Sequence, residues 1–302
     1  MNCLSPMSIK RPGFDAFGHA HAANDRITVP CGKCAACLSN QRSDWTFRLK
    51  EELKKAKSAY FITLTYNEGN VPYVNNEAAT LRKRDLQLFI KRLRRFHDME
   101  VEKYQKYVRG RYVEFKPPIL RYYAIGEYGP ETLRPHYHGL FFNISEDAVS
   151  HLDEIWNLGF IKVGDVNTAS IHYVTKYVIN RKQDIPGVER PFCIMSRRPG
   201  IGFGYINNDN VRYHRQSKGQ KFQVTNEGGI VQRMPRYYTQ FIFTKNELER
   251  NKKLLETKMD SRFDEDLEEL RSHGDDIGKV LVERGINQER KVRDKILKNQ
   301  TL

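Results

Sequence analysis

Apolar positions along the middle of the chain recur with two periods, one near 3.6 and one of 2, and the switches between them mark out the elements. Trp45, Leu49, Leu53 and Ala56 fall at helical spacing, with Asp44 placed to cap the start. Residues 59–65 then alternate Phe61/Thr63/Thr65 against Tyr60/Ile62/Leu64, the pattern of a buried strand. Residues 67–76, rich in Asn and Gly, read as a loop. Leu86, Phe89, Ile90, Leu93 and Phe96 describe an amphipathic helix with a basic outer face. The polar, aromatic and basic stretch 100–118 reads as an insertion.

Two further strands, 120–127 and 136–143, flank the turn-rich segment Tyr128-Gly-Pro-Glu-Thr-Leu-Arg-Pro135, which suits a hairpin. Ser145 with Glu146 and Asp147 opens a helix ending near Trp156, 160–166 is a strand, and Ser170 caps a helix through Asn180. The order helix, strand, helix, strand, strand, helix, strand, helix points to a largely antiparallel sheet with helices packed on one face. Residues 1–43 lack hydrophobic periodicity and read as an irregular segment. Residues 245–302 lack proline, are highly charged and read as exposed helix. The expected division is therefore 1–43, 44–244 and 245–302.

Charge changes this picture. Lys and Arg number 51 against 37 Asp and Glu, a net +14, and the sequence pI is about 9.5. Residues 245–302 mix both signs, so the excess sits in the body, where Lys91, Arg92, Arg94 and Arg95 cluster, as do Arg190, Arg197 and Arg198. A polyanionic partner, most simply nucleic acid, is expected. No apolar run is long enough to span a bilayer. The first residues carry no secretory pattern, so a soluble cytosolic protein is expected. Five cysteines, an odd number, argue against a disulfide framework.

Within that frame two groups of residues carry candidate chemistry. Residues two apart on a strand share a face, so His136 and His138 project together, roughly 7 Å apart at the usual strand rise. With hairpin pairing, Glu127 joins them. Two imidazoles and one carboxylate with open positions suit Mn²⁺ or Mg²⁺ acting as a Lewis acid on a phosphate. Tyr173 and Tyr177 lie one helical turn apart with Lys176 beside both. A tyrosine hydroxyl attacks a phosphodiester if a metal draws charge from the phosphoryl oxygens and a lysine offsets the developing charge. Taken singly, each group is equally consistent with packing; the combination is what points to chemistry.

That combination resembles the HUH endonucleases (histidine–hydrophobe–histidine). Phe61-Ile-Thr-Leu-Thr65 is similar to their first, structural motif. Arg134-Pro-His-Tyr-His-Gly139 is similar to the second, and Tyr173-Val-Thr-Lys-Tyr177 to the third in its two-tyrosine form. Glu127 falls where replication initiators of this family place a carboxylate ligand. More narrowly, Cys31-Gly-Lys-Cys34-Ala-Ala-Cys37 and Met195-Ser-Arg-Arg-Pro-Gly-Ile-Gly202 resemble the replication initiators of the Microviridae, the gokushovirus branch in particular. The resemblance covers residues 30–205. It implies an α+β palm of ferredoxin or RNA-recognition type, with a central antiparallel sheet and helices on its faces, plus a helical C-terminal segment. It also implies rolling-circle replication in the host bacterial cytoplasm. The viral origin would be nicked on single-stranded DNA through a tyrosine, leaving a 5′-phosphotyrosine and a free 3′-hydroxyl. The host polymerase and helicase would extend the strand, and it would then be rejoined.

Cys31, Cys34 and Cys37 offer three thiolates in a short loop, with Cys3, or else His19, His21 or Cys193, as a fourth ligand. Structural Zn²⁺ and reduced free thiols both remain open. Lys91, Arg92, Arg94 and Arg95, with Tyr104 and Tyr107, are candidates for single-stranded DNA, as are Arg134, Arg197 and Arg198. The competing reading is a non-catalytic, zinc-stabilised basic binder of single-stranded DNA.

Overall fold

The computed structural model describes residues 3, 5–10, 26–75, 77–107, 118–177, 185–216, 222–272 and 276–298; side chains of 100–107 and of scattered later helical positions are not described. Strands β1 (Met7–Lys10) and β2 (Arg26–Val29) precede helix α1 (Ala35–Lys55), strand β3 (Ala59–Tyr66), short strands β4 (Tyr73–Val74) and β5 (Ala78–Ala79), and helix α2 (Lys83–Tyr107). Then come β6 (Arg121–Tyr128), β7 (Pro135–Phe142), α3 (Glu146–Ser150), α4 (Leu152–Ile155), β8 (Gly159–Asp165), α5 (Thr168–Lys176) and β9 (Phe192–Met195). The remainder is α6 (Asn208–Gln216), β10 (Gln223–Thr225), β11 (Val231–Arg233), α7 (Arg236–Ile242), α8 (Lys245–Ser272) and α9 (Ile277–Lys298). The chain divides into two compact units, 45–238 and 1–44 with 239–302. No helix of the described residues is long and apolar enough to cross a membrane.

The unit 45–238 is built on a five-stranded antiparallel sheet in the order β8-β3-β7-β6-β9. Period-2 alternation gives it two apolar faces. Ile62, Leu64, Ala124, Tyr137 and Phe141 bury against Leu86, Phe89, Ile90 and Leu93 of α2 and against α3 and α4. Tyr123, Ile125, Leu140 and Phe142 point the other way and pack on Leu49 of α1 and Ile171 and Val174 of α5. Helices therefore cover both faces, where element order alone suggested one. The central strands β3, β7 and β6 are long and apolar enough to need cover on both sides.

Several boundaries differ from expectation. Helix α1 starts at Ala35, so Asp44 is interior rather than a cap. Helix α5 starts at Thr168 behind Asn167, whose side chain accepts from Ser170 N while Ser170 Oγ accepts from Asn167 N, a reciprocal capping box. Ser170 is its inner partner rather than the cap. Ser145 does cap α3, accepting from Ala148 N, but the helix breaks at His151 into two short pieces. Helix α2 runs on to Tyr107, into the stretch read as an insertion, and the loop 67–76 contributes β4 to a small hairpin. Edge strand β9 and the hairpins β1–β2 and β10–β11 carried no apolar signal. The expected end of α5 at Asn180, the side chains of Tyr104 and Tyr107, and His19 and His21 lie outside the described residues.

A buried ion pair fixes the loop after β9. Glu52 of α1 and Arg121 of β6 are both buried and form a salt bridge. Arg121 also donates to Pro199 O at 3.0 Å, and Glu52 Oε2 accepts from Gly202 N at 2.6 Å. Gly202 has φ +77°, and an added Cβ would collide with Tyr238 Oη and lie 2.7 Å from Arg48 O, so only glycine fits. Removing one partner of a buried pair strands the other. Glu52→Ala is expected to cost about 3–5 kcal/mol of stability, measured by urea denaturation; a loss under about 1 kcal/mol, the level of a surface pair, would show that the pair is not structural.

Candidate metal and tyrosine site

The β6–β7 register pairs Glu127 with His136, and His138 follows two residues along the same face. His136 Nε2 and His138 Nε2 each lie 3.0 Å from Glu127 Oε1. Ligands about 2.1 Å from a divalent ion and meeting at right angles stand about 3 Å apart, so the three atoms fit an octahedral ion. Glu127 and His138 are buried and His136 is half-buried.

The other ring nitrogens are also occupied. His136 Nδ1 is 3.0 Å from Arg134 O, and His138 Nδ1 is 2.9 Å from Thr63 Oγ1. With Nδ1 protonated, each ring donates outward and leaves its Nε2 lone pair facing the cluster. Phe61 stacks on His138 with centroids 5.6 Å apart and planes within 8°. Thr63 pairs directly with His138 across β3 and β7. Its place in the Phe61/Thr63/Thr65 alternation was visible, but its role depends on strand order, which the sequence does not display.

Burial alone would raise the Glu127 carboxyl pKa, but hydrogen bonds from both histidines outweigh it and the pKa is lowered. Burial works against the charged form of His136 as well; its contact with Glu127 prevails and raises its pKa. The more buried His138 goes the other way, its pKa lowered by desolvation. The cluster thus holds a carboxylate and a neutral imidazole, both forms that bind metal.

Helix α5 brings the tyrosines. Ile171 and Val174 anchor it to the sheet, which turns Tyr173 toward the cluster. The Tyr173 hydroxyl is 3.3 Å from His138 Nε2 and 3.5 Å from Glu127 Oε1. Tyr177 caps the C-terminus of α5, with its ring 5.4 Å from that of Tyr173. It lines a small cleft with Tyr123, Ile125, Phe192 and Cys193. Lys176 Nζ lies 4.2 Å from the Tyr173 ring centroid and 5.1 Å from that of Tyr177. Burial raises the pKa of both tyrosines; for Tyr173 a hydrogen bond with Tyr177 works the other way.

The remaining candidates separate. Arg134 is engaged internally, donating to Tyr66 O at 2.7 Å and to Glu68 at 2.5 Å, which braces the turn before His136. The middle residue of the histidine motif, Tyr137, points to the α2 face, its hydroxyl 2.6 Å from that of Tyr66 and accepting from Arg82 N. Burial pushes its pKa up to about 12. Lys91, Arg94 and Arg95 are exposed on α2 and Arg92 is half-buried, while Arg197 and Arg198 are exposed in the turn after β9. Cys193 sits in β9 beside the core. Cys3 joins Cys31, Cys34 and Cys37, with the four sulfurs within 4.8 Å of one another.

Comparison with known proteins agrees with this geometry. Residues 59–182 match the family model of the replication-associated protein ORF2. The replication-associated protein VP4 of Bdellovibrio phage phiMH2K is 28% identical over 79% of this chain and 76% of that protein. ORF2 of Spiroplasma virus 4, also named a replication-associated protein, is 23% identical over 79% of each chain. ORF4 of Chlamydia phage 1, with the same description, is 24% identical over 74% of this chain and 56% of that protein. These similarities support a replication initiator of Microviridae type. No solved structure matches the chain significantly.

Proposed function

We propose that the protein initiates rolling-circle replication by nicking single-stranded DNA at the viral origin through Tyr173 and later rejoining the displaced strand. The observation that carries this reading is the Tyr173 hydroxyl within 3.5 Å of two of the three candidate ligand atoms. Glu127, His136 and His138 would hold Mn²⁺ or Mg²⁺, which supplies Lewis-acid polarisation of the scissile phosphate. Tyr173 Oη attacks phosphorus, the bond to the 3′ oxygen breaks, and that oxygen gains a proton as the 3′-hydroxyl. The raised pKa of Tyr173 means that its proton leaves during attack rather than beforehand. Lys176, over both rings, offsets charge on either phenol oxygen. Tyr177, one turn on, supplies the second hydroxyl, to which the DNA passes in the joining step.

The work would be done on the phage origin in the host bacterial cytoplasm, with the host polymerase and helicase extending the 3′ end. In the same reading the four cysteines hold a structural Zn²⁺.

The test is a covalent-adduct assay with labelled origin DNA and Mn²⁺. Tyr173→Phe is expected to lose the adduct, Tyr177→Phe to keep the first nick but lose strand transfer, and the double variant to lose both. An adduct formed by the double variant would overturn the assignment. Salt-sensitive DNA binding with no cleavage by wild type would favour a non-catalytic binder.

A further inference from the structure

On the sheet face opposite Glu127, His136 and His138, a groove of roughly 550 Å³ opens between α2 and β6. Lys91, Arg94 and Arg95 line it against a single acid, Asp98, with Ile90 and Tyr122 among the residues around them. Tyr122 is half-buried, its ring stacked toward Phe141 with centroids 6.3 Å apart. The Arg94 guanidinium lies 5.2 Å from the Tyr122 ring centroid.

The groove connects with the sheet edge. Ser196 N donates to Tyr122 O at 3.0 Å, and Tyr122 N donates to Ser196 Oγ at 3.1 Å. Directly after Ser196, Arg197 and Gly200 form a bridge that closes a tight turn, and Arg197 and Arg198 stand exposed on it. The base of this turn is held by the Glu52–Arg121 pair. Five cations from two elements therefore surround Tyr122, and the turn carrying two of them is fixed before any ligand arrives.

We propose that this stripe is a second DNA-binding site, which takes the single strand flanking the scissile position. Phosphates contact Lys91, Arg94, Arg95, Arg197 and Arg198, and a base stacks on the Arg94–Tyr122 pair. Cations with a stacking platform are the chemistry of single-strand recognition. Tyr122 is five residues along β6 from Glu127, about 17 Å at the usual rise, so the two sites engage one strand only when it extends several nucleotides past the cut. The site rests on the proposed nicking function for its ligand, and its test separates the two.

Binding of a fluorescent 30-mer and of a short oligonucleotide ending within four nucleotides of the nick is measured across salt concentrations, alongside nicking of both. Two variants are used, Lys91→Gln/Arg94→Gln/Arg95→Gln and Arg197→Gln/Arg198→Gln. The triple variant is expected to bind the 30-mer about tenfold or more weakly, with a salt slope lower by roughly 2, at about 0.7 per phosphate contact. The double variant is expected to shift in the same direction, with nicking of the short oligonucleotide unchanged in both. Wild-type affinity and slope on the 30-mer in both variants would overturn the site, as would equal losses on both lengths. If wild type nicks neither substrate while the variants still lose length-dependent binding, the nicking function fails and this site stands.

Discussion

Replacing His136 or His138 with alanine is expected to reduce Mn²⁺-dependent adduct formation about a thousandfold or more. The Lewis-acid contribution is worth several kcal/mol, and each 1.4 kcal/mol is a factor of ten. Both imidazole nitrogens stand 3.0 Å from Glu127 Oε1, and alanine at either position offers no atom in their place. Thr63→Val gives the graded counterpart. It takes away the oxygen 2.9 Å from His138 Nδ1 but leaves every ligand in place. Loss of such an outer partner typically costs 10–100-fold in metal affinity. The Mn²⁺ concentration needed for half-maximal nicking is expected to rise by that factor, with activity restored at saturation. The alanine variants are not expected to recover at any Mn²⁺ concentration. Full activity of His138→Ala at the wild-type Mn²⁺ requirement would remove the cluster from the mechanism.

The centre of this site was readable because it lies on strands with strict alternation. Once Glu127 and His136 are placed on a hairpin, a period of two decides which side chains share a face, and the observed register pairs the two directly. Tyr173 and Tyr177 were readable for the equivalent reason on a helix, although only the structure shows that Tyr173 reaches the ligand atoms. Elements whose signal is not burial were not readable. Strand β1 is exposed along its length and β2 is at most half-buried, so neither alternates visibly. The first turns of α1 carry Ala35, Ala36, Ser39, Asn40 and Gln41, with no apolar stripe, and Asp44 before Trp45 imitates a start. The stripe around Tyr122 was divided between two unrelated runs of arginine, because only strand order brings β9 beside β6.

The same blindness hid what the N-terminal cysteines do, and this leads to the other large expected effect. Hairpin β1–β2 buries little, and an isolated two-stranded hairpin is marginal in water. Its ends approach the start of α1 at the cysteine cluster. Cys3 Sγ is 3.5 Å from Cys31 Sγ and 3.9 Å from Cys34 Sγ, against about 3.8 Å between thiolates on one tetrahedral Zn²⁺. Backbone N–H groups of Lys33 and Cys34 donate to Cys31 Sγ and lower its pKa, as a ligating thiolate requires. Burial instead pushes the Cys37 thiol up to about 12, so this fourth position depends on a cation for its charge. The protein is expected to carry one Zn²⁺ per chain by elemental analysis, and Cys31→Ser to carry none. Structural zinc is worth on the order of 10 kcal/mol in small domains. Chelation or Cys31→Ser should therefore unfold the hairpin, seen as loss of amide-exchange protection at residues 7–10 and 26–29. A Cys31→Ser protein with unchanged protection and no zinc in the wild type would leave the four thiols as packing alone.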